Sequence, residues 1–108
     1  MKLSIVRGGG LAGIVTRTEL ASEALSEDDA RKLREKVEQA GLLAMPESLP
    51  PAEPHPDELN YELTVENEGR ERTVRLSEST LPEKVRSLIA WADSVSEREH
   101  RIEPPGGS

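Results

Sequence analysis

A chain of 108 residues with 21 acidic against 14 basic side chains, net charge −7, amounts to one domain and is too acidic to lay a basic footprint on nucleic acid. It has no cysteine, which excludes disulfides, thiol nucleophiles and thiolate metal sites. Phenylalanine is also absent, and Tyr61 and Trp91 are the only aromatics, so the core is expected to be aliphatic.

Residues 2–7 and 14–20 are short runs rich in β-branched side chains and predict two strands. In the second, Ile14, Thr16, Thr18 and Leu20 share one face. Between the runs lies Gly8-Gly9-Gly10-Leu11-Ala12-Gly13, four glycines around one large apolar side chain. Glycine tolerates positive φ and close backbone approach, so the whole predicts an antiparallel hairpin with a long, adaptable tip. Leu11 either folds back on the core or is offered to a partner. The glycines lack nucleotide-loop spacing and do not lead into a helix, which leaves a phosphate-loop role poorly supported.

A helix is expected next, with Ser26 as N-cap and Asp29 three residues on. Glu27, Asp28 and Asp29 complement the positive end of the helix dipole. Ala30, Leu33, Val37 and Ala40 form its apolar stripe, and Gly41 supplies a left-handed stop after which Leu42 and Leu43 fold back. Residues 45–60 hold Pro46, Pro50, Pro51, Pro54 and Pro56 and predict a long loop, since proline fixes φ and removes a donor. Tyr61, Leu63 and Val65 then alternate with Glu62, Thr64 and Glu66. A turn at Asn67-Glu68-Gly69-Arg70 and a second alternation through Arg72, Val74 and Leu76 complete another hairpin. Thr80 with Glu83 suggests a capping box for a second helix, whose stripe is Val85, Leu88, Ile89, Ala92 and Val95, with Trp91 at its edge. Residues 97–108 are charged and end in Pro104-Pro105-Gly106-Gly107-Ser108, a tail expected to be disordered.

The fold expected is therefore α+β: a four-stranded antiparallel sheet from two hairpins with two helices packed on one face, in the order ββαββα. One domain would span residues 1–96, with the proline-rich loop at 45–60 inside it. The N-terminal apolar run is too short for a signal peptide, and no run approaches the roughly 20 apolar residues of a membrane span. The cytoplasm is the expected compartment, no membrane association is expected, and export by a route needing no signal peptide stays open.

No catalytic constellation is present. His55 lies in the proline loop and His100 in the tail, neither at metal-ligand spacing from a partner, and no His-Glu-x-x-His or Gly-x-Ser-x-Gly occurs. No cofactor, no metal site and no enzymatic activity are expected. A small acidic domain of this kind acts by binding, and its candidate surfaces are the glycine tip and the proline loop.

Arg7-Gly8-Gly9-Gly10-Leu11-Ala12-Gly13-Ile14 resembles the glycine tip of the emfourins, small bacterial protein inhibitors of thermolysin-like zinc metallopeptidases of the protealysin group. A Gly-Gly-aromatic-Ala-Gly order is usual in that family, and Leu11 stands here at the aromatic position. The likeness continues through Ala40-Gly41-Leu42-Leu43, the proline-rich link, Tyr61-Glu62-Leu63-Thr64-Val65 and Leu81-Pro82. It implies a non-enzymatic inhibitor, monomeric when free, that blocks the active-site cleft of a thermolysin-like metallopeptidase made by the same bacterium. Such enzymes prefer a large apolar side chain just after the scissile bond, a role Leu11 would fill. The contact set expected on this basis is Arg7, Gly8, Gly9, Gly10, Leu11, Ala12, Gly13, Arg17, Pro54, His55 and Pro56. The competing expectation is a non-catalytic interaction or regulatory module that uses its open sheet face or Leu42-Leu43 to hold another partner.

Overall fold

The computed structural model describes residues 1–9, 15–44, 48–49, 58–95 and 99–103. Strands β1 (Lys2–Gly9) and β2 (Val15–Ala21) pair antiparallel, as do β4 (Leu59–Asn67) and β5 (Arg70–Ser77). The hairpins join through an antiparallel β1–β4 ladder, so the sheet is built around β1 and β4. Helices α1 (Glu27–Ala40) and α2 (Glu83–Ser94) follow the first and second hairpin. These four antiparallel strands and two helices keep the expected ββαββα order, as the centre of a larger sheet.

Period-two alternation decides which face is covered. Leu3, Ile5, Leu20, Leu63, Val65, Val74 and Leu76 are buried and form one cluster with Leu33, Val37 and Ala40 of α1 and Val85, Leu88, Ile89 and Ala92 of α2. Both helices therefore cover the same sheet face. Tyr61 and Trp91 are half-buried against the cluster's rim. The other face is polar: Glu62 meets Arg75 at 3.4 Å, and the Thr64 and Thr73 hydroxyls lie 3.0 Å apart. The Glu62–Arg75 pair is well exposed and so is worth at most about 1 kcal/mol.

The local signals hold at several ends. The Asp29 N–H donates to Ser26 Oγ at 3.2 Å, and Gly41 takes φ +68° after α1. Leu42 folds back and is buried, whereas Leu43 is exposed, and Ala30 is only half-buried. Glu68 (φ 52°) and Gly69 (φ 78°) are both left-handed, which gives the turn whose twist matches a two-residue hairpin.

Three further expectations change. Thr80 caps a 3-10 turn (Glu78–Thr80) instead of α2: its Oγ1 accepts from the Ser77 N–H at 3.2 Å and donates to the Ser77 carbonyl at 3.1 Å. A residue preceding proline disfavours helical ψ, so Leu81-Pro82 separates Thr80 from the helix, and the Pro82 carbonyl accepts from Val85 and Arg86. Within the proline-rich stretch, Ser48–Leu49 forms a short strand, β3, paired in parallel with Arg75 and Leu76, and β4 begins at Leu59. Ser48 and Leu49 stand between prolines and keep their own N–H groups, enough for a two-residue edge bridge. Finally Glu99–Glu103, assigned from sequence to the tail, is strand β6, antiparallel to β2 from Val15↔Glu103 to Glu19↔Glu99. Without it β2 would present a free row of backbone donors and acceptors, and backbone pairing takes no apolar pattern from the incoming segment. The sheet order is β3-β5-β4-β1-β2-β6.

Leu63 lies at the middle of this layer, opposite Ile5 on one side and Val74 on the other. Leu63→Ala is expected to cost about 2–5 kcal/mol in urea unfolding, while Leu43→Ala stays within about 0.5 kcal/mol.

Candidate functional site: the glycine end of the sheet

The ladders bring two sequence-predicted surfaces together. The β1–β2 pairs run as far as Arg7↔Thr16, and the β1–β4 pairs continue to Gly8↔Asn60 and Gly9↔Leu59. The backbone leaving the proline-rich stretch is thus hydrogen-bonded beside the glycine segment. Glu58, just before β4, accepts from the Ser79 N–H through its carboxylate, and the Ser77 hydroxyl donates to Asn60 Oδ1 at 3.4 Å. Val15, the first residue of β2, pairs with Glu103. Five strands, β1, β2, β4, β5 and β6, therefore converge at this end of the sheet. Gly10, Leu11, Ala12, Gly13, Pro54, His55 and Pro56 lie outside the described residues.

Arg7 and Arg17 are separated by the sheet. Arg7 follows Leu3 and Ile5 on the helix-facing side, flanked in register by Thr16 and Tyr61. Its guanidinium makes an ion pair with Asp93 in the last turn of α2. The Arg7 Nε is buried and has no hydrogen-bond partner among the described residues. Arg17 points to the open face, 3.9 Å from Glu19. There it lines a shallow polar depression of about 260 Å³ with Lys2, Ser4, Val6, Glu62 and Thr64. Asp93 and Asn60 were not anticipated. Asp93 is an acid off the apolar stripe of α2, and nothing local distinguishes it from the other solvated acids of the chain; Asn60 is identified only by the strand register.

Gly8 is on the open face beside Val15. A Cβ at Gly8 would stand 3.3 Å from Val15 Cγ2, closer than ordinary contact, so the absence of a side chain lets β2 sit tight against β1 at the root of the tip. Gly8→Val is expected to destabilise the chain by about 1–3 kcal/mol through this crowding, and a second change, Val15→Ala, to recover most of it. Thermal unfolding of the single and double variants measures the coupling.

Among the described residues no helix is long and apolar enough to cross a membrane, and no group of three or more His, Cys, Asp or Glu is placed to hold a metal ion. No curated protein and no solved structure shows a significant match to the chain. A family model does: the model for emfourin matches residues 5–93, from the middle of β1 to the Asp93 that holds Arg7. With that match covering both hairpins and both helices, the chain belongs to the emfourin family, a family of metallopeptidase inhibitors.

Proposed function

We propose that the chain is a proteinaceous inhibitor of a thermolysin-like, protealysin-type zinc metallopeptidase and acts by blocking its active-site cleft. The observation that carries this reading is the emfourin match over residues 5–93. It is supported by the construction of the glycine end, where residues 10–14 connect two strands whose roots are paired on both sides.

In the proposed complex, the segment Gly8 to Gly13 enters the cleft and Leu11 fills the apolar pocket next to the scissile position. Full burial of a leucine side chain is worth roughly 1.5–3 kcal/mol. A hairpin tip loses less conformational entropy on binding than a free peptide does, which leaves more of that energy for affinity. The target's zinc needs no ligand from this chain, since filling the cleft denies substrate its place. Arg17 on the open face and Pro54-His55-Pro56, in the stretch that leads into β4, are proposed to widen the contact. Arg7 is already engaged with Asp93 on the opposite face, so it is assigned an intramolecular role instead. The free chain is proposed to be a monomer, and its compartment the cytoplasm.

Titration of a thermolysin-like peptidase with wild-type and Leu11→Asp protein tests the reading. The variant is expected to weaken inhibition by at least about tenfold, the factor that 1.4 kcal/mol represents. Full potency in a folded Leu11→Asp protein would rule out insertion of the tip.

A further inference from the structure

The last side chain of β1 before the glycines belongs to Arg7, and it reaches across the layer to a helix. The same-face positions before it, Leu3 and Ile5, are fully buried in the core. A charged group continuing that row is costly unless it finds a partner. Its neighbours in register, Thr16 and Tyr61, carry no charge, and the partner is Asp93, 86 residues away on α2.

We propose that the Arg7–Asp93 ion pair is a tether that holds the root of the glycine tip at a set angle to α2, which makes Asp93 a positioning residue for the inhibitory contact. The functional half of this inference rests on the inhibitor reading above; the structural half does not. Three observations carry it. Gly8 and Gly9 have no side chains with which to anchor their strand to the helix layer, so Arg7 is the final such anchor before residues 10–14. The helix end that receives it is itself fixed, since Ala92 and Val95 on either side of Asp93 are buried and the Val95 N–H donates to the Ala92 carbonyl. On the open face, the missing side chain of Gly8 leaves room for Val15 of β2 to stand close beside the same root. The root thus carries a charge pair on the helix side and a close neighbour strand on the open face, while the segment beyond it is rich in the residue with the most backbone freedom.

The pair is well suited to this task because it is partly shielded. The Arg7 side chain is 21% exposed and that of Asp93 38%, so salt and water weaken it less than the open-face Arg75–Glu62 pair, at 66% and 45%. Opening it would free the root to sample other angles, and binding would then have to order it again, at a cost in affinity that shows mainly as faster dissociation.

Hydrogen exchange on the free full-length chain separates the tether from mere stability. In Asp93→Ala the amides of Gly8, Gly9 and Val15 are expected to exchange about tenfold faster while those of Leu3 and Leu63 keep their rates, the signature of local opening. Asp93→Glu, which keeps the carboxylate, is expected to restore slow exchange at the root. Against a thermolysin-like peptidase, Asp93→Ala should dissociate about tenfold faster and Asp93→Glu close to wild type. Unchanged exchange at the root in Asp93→Ala would overturn the tether, as would equal acceleration across the whole sheet. If wild-type protein inhibits no thermolysin-like peptidase, the inhibitor reading falls, and the exchange rates still decide whether the tether exists.

Discussion

Strand β1 is hydrogen-bonded along both edges, to β2 on one side and to β4 on the other, and the rest of the molecule depends on that double ladder. It joins two hairpins that are each local in sequence into one sheet. It also places Leu3 and Ile5, both fully buried, at the centre of a layer that has no phenylalanine to fill it. Aliphatic side chains pack such a layer only when their rows are in register, because a slip of one residue would turn every Leu and Val to the polar face. The register Leu3↔Val65 and Ile5↔Leu63 is therefore both a backbone and a packing constraint.

The same ladder also shapes the root of the glycine end, where the proposed contact would lie. Beyond Arg7 the strand continues for two glycines that pair with Asn60 and Leu59. Backbone pairing persists where side-chain packing has stopped, which delivers a flexible residue type from a rigid base. On the helix side the last side chain before these glycines is that of Arg7, paired with Asp93.

Much of the fold was legible in the sequence because its signals are local. The alternation of Tyr61, Leu63 and Val65, the stripes of both helices, the Ser26 cap and the Gly41 stop each follow from a few consecutive residues, and each has its structural counterpart. Where neighbouring signals competed, proximity misled: Thr80 and Glu83 have capping-box spacing, but Pro82 between them hands Thr80 to the preceding turn. Leu42 and Leu43 look equivalent in sequence, yet one is buried and the other exposed, since a chain leaving a helix can fold only one of two adjacent side chains back.

By itself the sequence determined an α+β, cysteine-free acidic domain with two hairpins and two amphipathic helices, and its glycine tip already resembled the emfourins. Periodicity and capping chemistry suffice for that, because both act within a few residues. Only the tertiary structure decided what depends on distant partners. It set Arg7 and Arg17 on opposite faces, joined Arg7 to Asp93, drew Leu59 and Asn60 alongside the glycines, and made an edge strand of Glu99–Glu103. Backbone pairing and charge pairing are nearly blind to the local pattern of hydrophobicity, so these choices leave no mark in the sequence and appear only when the sheet has closed around β1.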